Sequence, residues 1–137
     1  MYEKAFQVEI ITPTRVLFED EATSLSALGV EGNFQVLYDH APFLTAIGVG
    51  EIKLKDKNGT DTIYATSGGF VEVRANHVVV LADAVEKASE IDVPRAEAAK
   101  ARAEQRLRQH DPEIDLARAQ AALARALNRL RVSRKVL

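Results

Sequence analysis

The 137-residue sequence contains no cysteine, which excludes disulfides, thiol nucleophiles and cysteine-ligated zinc and suits a reducing compartment. Long apolar runs are also missing, since the longest extends only from Val78 to Ala82 and a membrane helix needs about 20 such residues. The N-terminal segment lacks the basic and apolar stretches of a signal peptide. We therefore expect a chain that neither spans a membrane nor is secreted.

Glycine and aromatic residues are absent after residue 70, and the last 47 residues are instead rich in alanine and arginine. Charge is divided in the same way. Residues 1–90 carry 7 basic and 14 acidic side chains, whereas residues 91–137 carry 11 and 6. The sequence therefore predicts two small modules, of which the basic one could meet nucleic acid, an anionic ligand, an acidic protein surface or the acidic half of its own chain.

The first module, residues 1 to about 84, has the pattern of an all-β domain. Apolar and polar residues alternate over 6–10, and similar short segments recur at regular intervals, which is typical of a sandwich or barrel. Asn58-Gly59 predicts a tight hairpin between 52–55 and 62–65, and Ala75-Asn76 predicts a second hairpin. Further candidate strands are Arg15–Phe18, Thr23–Leu28, Phe34–Leu37, Phe70–Val73 and Val78–Leu81.

No cluster of residues predicts a catalytic or metal site. The three histidines are scattered along the chain, and no phosphate-loop motif is present. We interpret Gly48-Val49-Gly50 and Gly68-Gly69 as turns and Asp20-Glu21 as solvated surface. A standalone enzyme is therefore not expected, because no nucleophile and base stand at a recognisable spacing.

The second module is predicted to be a hairpin of two antiparallel helices. Asp92 can cap a helix that has Pro94 in its first turn, and Asp111-Pro112 repeats this signal. Residues 94–109 and 113–132 are nearly all strong helix formers, and the loop between them is short.

The predicted inner face of this hairpin is rich in alanine. Because each buried CH₂ contributes only about 0.8 kcal/mol, a contact lined by alanine is weaker than one lined by leucine. Docking of the hairpin on another surface is therefore expected to be marginal and reversible. The inner face is assigned to Ala96, Ala99, Ala103 and Leu107 in the first helix and to Leu116, Ala119, Leu123, Leu127 and Leu130 in the second.

Four arginines of the hairpin are expected to converge. Arg95 and Arg102 are seven residues apart and share a helix face. Arg125 and Arg129 are four apart, and antiparallel pairing would bring the two pairs together. Such a cluster suits a polyphosphate, because guanidinium groups bind phosphate oxygens bidentately. The alternative is a solvated basic face paired with neighbouring glutamates, and spacing alone favours that alternative.

Four segments, read together and in order, resemble a known family over essentially the whole chain. They are Gly32–Leu37, His40–Thr45, Gly68–Val73 and Leu81–Asp83. The chain resembles the epsilon subunits of F-type ATP synthase. The resemblance implies an α+β chain, with a sandwich of about ten strands over residues 1–84, a joint at 85–92 and a regulatory helical hairpin over 93–137.

The resemblance implies a non-catalytic subunit of the proton-translocating synthase, with no obligatory cofactor. The sandwich would bind the gamma subunit and the membrane rotor ring, on the cytoplasmic side of a bacterial cell membrane. The hairpin would either fold on the sandwich or extend along gamma, where it would block ATP hydrolysis by the alpha and beta subunits. The expected inhibitory contacts are Arg118, Arg125, Arg129, Arg131 and Arg134.

The resemblance also implies that ATP is a regulatory ligand of the folded hairpin, because Ile91–Ala96 corresponds to the family's nucleotide motif. The expected adenine contacts are Ile91, Asp92 and Ala96, and the expected phosphate contacts are Arg95, Arg102, Arg125 and Arg129, with Glu86 as a further contributor. ATP would then stabilise the state that does not inhibit.

Two other functions remain to be compared with this one. A freestanding nucleotide-binding module would use the arginines but would leave the sandwich motifs unexplained. Nucleic-acid binding through residues 125–135 is disfavoured, because this segment has no aromatic residue for base stacking and the chain is acidic overall.

Overall fold

The computed structural model describes residues 4–135, and the chain divides after Lys87 into two compact units. The first unit consists of strands, as the sequence predicts. The strands are β1 (Phe6–Ile11), β2 (Val16–Gly29), β3 (Gly32–Val36), β4 (Phe43–Asp56), β5 (Asp61–Thr66), β6 (Gly69–Arg74), β7 (His77–Ala82) and β8 (Val85–Lys87). β8 lies in the segment 85–92, which the resemblance assigns to a joint.

These strands form one sheet that closes on itself. Its order is β3-β2-β1-β7-β6-β4-β5-β8, and β2 also pairs with β4. β1 and β7 run parallel, whereas the other pairs are antiparallel. The largest fully buried side chains are Tyr64, Ile10, Leu25, Ile52 and Leu54. The expected β-sandwich is thus confirmed, in a barrel-like form.

The strand count differs from the expected ten, because residues 4–135 contain eight strands and two of these are long. β2 and β4 each contain 14 residues. β4 pairs with β6 through Phe43–Ile47 and with β5 through Gly50–Lys55. Gly48-Val49-Gly50 therefore lies inside a strand where it changes partner, and its interpretation as a turn is wrong. Glycine at this point allows a strand to bend at the corner of a closed sheet.

Both predicted hairpins form, but their turns differ. Ala75-Asn76 is a two-residue turn with φ angles of 49° and 60°, as the sequence predicts. The β4–β5 loop is longer than a two-residue turn, and in it only Gly59 has a positive φ, of 83°. The carboxylate of Asp56 orders this loop, because it accepts hydrogen bonds from the N–H groups of Asn58 at 2.8 Å and Thr60 at 2.9 Å.

The same loop is tied to β2. Lys57 Nζ lies 3.2 Å from Asp20 Oδ1. The backbone N–H of Glu21 and the Lys57 ammonium together hold the pKa of Asp20 below its ordinary value. Both side chains are exposed, so this ion pair contributes little to stability.

The second unit is a helical hairpin, as predicted. A 3-10 turn at Ala88–Glu90 precedes α1 (Val93–Arg108) and α2 (Leu116–Ser133). The Asp92 carboxylate accepts a hydrogen bond from the N–H of Arg95 at 3.1 Å and caps α1. Within residues 4–135, no helix is both long enough and apolar enough to cross a membrane.

The start of α2 differs from the prediction, since the helix begins at Leu116 and not near residue 113. Asp115 is its N-cap and accepts a hydrogen bond from the N–H of Arg118 at 3.1 Å. Asp111 instead accepts from the N–H of Glu113 at 2.9 Å and orders the turn between the helices. An aspartate before proline suits a turn as well as a helix start, so the local signal was ambiguous.

The inner face of the hairpin is rich in alanine, as expected, but it excludes two of the predicted leucines. Leu116 and Leu127 are 51% and 45% exposed. Buried alanines seven residues apart on each helix indicate which sides of α1 and α2 pack together. Leu116 and Leu127 lie about 70° to 90° around the axis of α2 from that side. The buried positions on this face are Ala96 and Ala103 in α1 and Ala119, Ala126 and Leu130 in α2. Asn128 and Val132 are also buried, but they lie about 140° to 180° around the axis of α2 from this face.

Gly69 lies where the sheet has no room for a side chain. A Cβ at this position would lie 2.1 Å from the carbonyl oxygen of Leu81 and 2.7 Å from Ala82 Cα, and the φ angle is 154°. We expect Gly69→Ala to lower the free energy of unfolding by about 3 kcal/mol, because backbone atoms would have to move. Chemical denaturation followed by circular dichroism would measure this loss.

Gly48→Ala is the matched control, because a Cβ there would meet no atom within 4 Å and its φ is not in the left-handed region. We expect the control to change the free energy of unfolding by less than about 1 kcal/mol. Equal losses in the two variants would contradict the steric explanation.

Candidate functional site

One face of the sheet exposes a row of apolar side chains that crosses five strands. Val16 pairs with Ile11, and Ile11 pairs with Leu81. Leu81 pairs with Phe70, and Phe70 pairs with Ala46. Val16, Leu81 and Phe70 are 52%, 54% and 57% exposed. We name these five residues the apolar row; a continuous exposed patch of this kind is typical of an interaction surface.

A groove of about 450 Å³ opens beside the apolar row. The absence of a side chain at Gly69 brings β6 close to the backbone of β7 at this point. Asp83 is the one charged residue of the lining, so the groove suits an apolar group that has a positive charge near it. The lining residues are Ile11, Thr12, Pro13, Gly69, Phe70, Leu81, Ala82 and Asp83.

The neighbouring row on the same face is acidic. Glu19 pairs with Glu9, and Glu72 occupies the same row two strands away. Glu9 Oε2 lies 3.0 Å from His77 Nε2, and Glu72 Oε1 lies 3.6 Å from a nitrogen of Arg74. An apolar surface with an acidic border favours a partner whose apolar side chains are flanked by basic ones.

At the opposite end of β6 and β7, reciprocal hydrogen bonds hold a loop. The N–H of Asp39 donates to Asn76 Oδ1 at 2.7 Å, and Asn76 Nδ2 donates to Asp39 Oδ1 at 3.1 Å. The two residues have φ angles of 62° and 60°, so the bonds join two left-handed turns. The loop presents Leu37 and Tyr38, which are 52% and 39% exposed. The first unit therefore has a second exposed apolar surface.

The predicted nucleotide motif lies at the start of the second unit. Asp92 is exposed, and one of its carboxylate oxygens is used to cap α1. Ile91 and Ala96 are 8% and 0% exposed. Glu86 lies in β8 of the first unit, opposite Ala65. The motif thus has a structural role in starting α1 and packing its inner face.

The four arginines expected to bind phosphate lie on one side of the hairpin. On α1, the directions of Arg95 and Arg102 around the helix axis differ by less than about 40°. The same holds for Arg125 and Arg129 on α2. Around the helix axis, each pair is rotated by about 90° to 100° from the buried alanines of its own helix, and the direction of rotation is the same in both helices. Because α1 and α2 pack antiparallel through a short connection, equal offsets place both pairs on the same side. We name these four residues the arginine face.

Three of these four guanidinium groups are available to a ligand. Arg95, Arg102 and Arg125 are exposed, and none of them forms an ion pair with any group in the part of the chain that the structure describes. Arg129 is half-buried and interacts with another group. The glutamates of α1 therefore leave most of the positive charge on this face uncompensated.

The helical period adds two arginines to the same side. Arg106 lies four residues after Arg102, and Arg118 lies seven residues before Arg125. Neither residue is among the predicted phosphate contacts, and Arg118 is predicted only as an inhibitory contact. Extending the spacings of three, four and seven along both helices would have identified both residues.

The arginines expected to contact catalytic subunits are divided between two sides of α2. Arg118, Arg125 and Arg129 lie together, whereas Arg131 and Arg134 lie about 140° to 160° around the helix axis from them. The backbone N–H of Arg134 also caps the C-terminus of α2. One flat surface therefore cannot contact all five guanidinium groups while α2 stays helical.

Two family models together match nearly the whole chain. The beta-sandwich domain of the ATP synthase delta/epsilon chain matches residues 5–88, and the long alpha-helix domain of the same chain matches residues 89–134. The chain is 45% identical over 107 residues to the ATP synthase epsilon chain of Syntrophomonas wolfei, covering 78% of each chain. It is 47% identical over 107 residues to that of Pelotomaculum thermopropionicum, covering 78% of this chain and 79% of the relative.

Solved structures share the fold at lower identity. A chain of the Euglena gracilis mitochondrial ATP synthase, in a structure of OSCP, F1 and the c-ring, has a TM-score of 0.79 and 17% identity, covering 90% of this chain and 78% of that chain. A chain from the central stalk and c-ring of the Tetrahymena thermophila mitochondrial ATP synthase has a TM-score of 0.59 and 15% identity, covering 98% of both. At these identities the likeness concerns the fold alone.

Proposed function

The chain belongs to the ATP synthase delta/epsilon family, among the epsilon chains, which are non-catalytic subunits of the central stalk, and we propose that it restrains ATP hydrolysis in response to ATP. In this proposal the β unit attaches the chain to the rotor, and the helical hairpin regulates. The observation that carries it is the contrast between the surfaces of the two units. The β unit exposes apolar side chains, whereas the hairpin exposes uncompensated arginines.

The apolar row and its groove are the proposed docking surface for the gamma subunit. Phe70 and Leu81 are more than half exposed and lie against the groove, which gives a partner side chain a place to insert. Aromatic side chains that become buried when two proteins dock, as Phe70 would, dominate the affinity of many interfaces. The loop held by Asp39 and Asn76 is the proposed contact with the membrane rotor ring, where the chain would be a peripheral subunit.

The hairpin is the proposed inhibitor of hydrolysis by the alpha and beta subunits. Its second half supports this role, because residues 116–137 contain no acidic side chain and six basic ones. Such a segment is attracted to acidic protein surfaces. The inner contact of α1 with α2 depends largely on alanine methyl groups, so rearranging the hairpin costs little buried apolar area.

The arginine face is the proposed site for the phosphates of ATP, with Ile91, Asp92 and Ala96 near the adenine. Arg95, Arg102 and Arg125 are exposed without ion pairs among the described residues, so a polyphosphate would not have to break existing salt bridges. ATP that binds only the non-inhibiting state would stabilise it by about 2.7 kcal/mol at a hundredfold excess over Kd. This is enough to decide a marginal equilibrium, so falling ATP would allow the hairpin to stop hydrolysis.

Replacing Phe70 tests the gamma contact. We expect Phe70→Asp to weaken co-purification with gamma at least about tenfold, because a charge would be desolvated at the centre of the interface. The free energy of unfolding should change little, since the side chain is 57% exposed in the isolated chain. Phe70→Leu, which keeps an apolar group, is the control; equal loss in both variants, or none in either, would count against this surface.

Deleting residues 88–137 tests the inhibitory role. We expect the assembled enzyme to hydrolyse ATP faster without the hairpin, because the element that blocks the catalytic subunits is gone. Assembly should be retained, since the β unit keeps its own closed sheet and core. ATPase assays on purified complexes would measure the effect, and an unchanged rate would refute the inhibitory role.

Calorimetric titration of the isolated chain tests ATP binding, with and without magnesium and beside GTP. We expect saturable ATP binding that Arg102→Ala weakens about tenfold, because one charge-assisted phosphate contact is lost. Arg108→Ala is the matched control, since Arg108 is an exposed arginine of α1 on a different side of the helix. Absent binding, or equal weakening by both variants, would argue against a specific phosphate site.

A further inference from the structure

α2 exposes leucines on the side away from the arginine face. Leu116, Leu123 and Leu127 are spaced by seven and four residues and lie within about 40° of one another around the helix axis. Leu116 and Leu127 are 51% and 45% exposed, and Leu123 is half-buried. We name these three residues the leucine stripe. Its centre lies about 160° from Arg125 and Arg129, so the stripe and the arginine face share no residue.

Positive charge borders the leucine stripe on its outer side. Arg134 and Arg131 lie about 0° and 60° around the axis from the stripe, one to two turns beyond Leu127. The guanidinium of Arg131 donates a hydrogen bond to Asn128 Oδ1, a neutral acceptor, so Arg131 keeps its positive charge. No acidic residue follows Asp115 in the chain, so α2 offers nothing to neutralise them. The adjoining side of α1 carries Glu97, Lys100, Glu104 and Arg108, whose charges sum to zero, so the excess of positive charge on this side comes from α2.

We propose that the leucine stripe, together with Arg131 and Arg134, is the surface by which the hairpin docks on a catalytic subunit, and that the arginine face serves ATP. The partner surface is an apolar groove with an acidic rim, because only that chemistry satisfies exposed leucines bordered by arginines. This inference rests on the inhibitory function proposed above. It removes Arg118, Arg125 and Arg129 from the expected inhibitory contacts, because they share a side of α2, and it assigns Arg125 and Arg129 to the nucleotide.

Two other occupants fit the stripe less well. A bilayer surface is usually met by a wider apolar face with aromatic residues, and the sequence has no aromatic residue after Phe70. A second copy of this chain would bring two strongly basic helices together, with no acidic side chain on either α2 to compensate. The charge of α2 therefore favours an acidic protein partner.

Because the arginine face and the leucine stripe lie on different sides of α2, substitutions can impair ATP binding and inhibition separately. A change in the leucine stripe should weaken inhibition and leave ATP affinity intact. A change in the arginine face should weaken ATP binding and leave the docking contacts intact, so that inhibition persists at higher ATP concentrations. ATP would then act by stabilising one arrangement of the hairpin and not by covering the residues that dock.

The decisive experiment compares Leu116→Gln/Leu127→Gln with wild type in the complete synthase complex. We expect about tenfold weaker inhibition of hydrolysis, because two half-exposed leucines lose their apolar burial on docking. ATP affinity of the isolated chain should change less than about twofold, which would be under 0.5 kcal/mol. Leu116→Met/Leu127→Met is the matched control and should inhibit like wild type, and circular dichroism would establish that all variants stay helical.

Each of the following results would overturn the proposal. Full inhibition by the glutamine variant, in a complex that loses inhibition when 88–137 is deleted, would exclude the leucine stripe while sparing the inhibitory function. An unchanged rate on deletion would refute both. Loss of both ATP binding and inhibition in the glutamine variant would show that the leucine stripe and the arginine face do not act independently. A stripe-dependent dimer in light scattering, or stripe-dependent binding to anionic phospholipid vesicles with inhibition unchanged, would identify a different occupant.

Discussion

The contact between the alanines of α1 and α2 is the constraint on which the hairpin surfaces depend. Ala96 and Ala103 on one helix, and Ala119 and Ala126 on the other, are each buried and seven residues apart. This contact fixes the rotation of both helices about their axes. Once the rotation is fixed, the arginine face falls on one side of the hairpin and the leucine stripe on the other. The methyl groups bury little area, so this contact stabilises the hairpin less than a contact lined by leucine would.

The β unit has the opposite character. Its sheet is closed by the pairing of β2 with β4, and side chains such as Ile10, Leu25 and Ile52 are fully buried. Side chains of a closed sheet alternate between its filled interior and its outer face, and Phe70 and Leu81 lie on the outer face, where they stay exposed. The proposed roles use this difference, since attachment is assigned to the unit with the large buried core and regulation to the unit whose buried side chains are mostly alanines.

Local sequence signals predicted those parts of the structure that are decided within a few residues. Ala75-Asn76 gave the expected two-residue turn, and Asp92 caps α1 as predicted, because both depend on hydrogen bonds to near neighbours. The same signals failed where a distant partner decides. Gly48-Val49-Gly50 has the composition of a turn, but β5 and β6 hold it in a strand, and Leu127 has the spacing of a core residue although the alanine contact turns it outward.

The sequence by itself determined the two units, the strand and helix content, the charge division and the family resemblance, because periodicity, composition and motif order are properties of the chain. It also identified Arg95, Arg102, Arg125 and Arg129 as a group, since helical spacing alone relates each pair. Only the tertiary structure decided the apolar row, which unites residues of five strands through register, and which side of α2 is buried, so that Leu116 and Leu127 are exposed. Register and helix rotation result from contacts between residues far apart in the chain, and those contacts are set by which side chains can approach most closely when the whole unit packs.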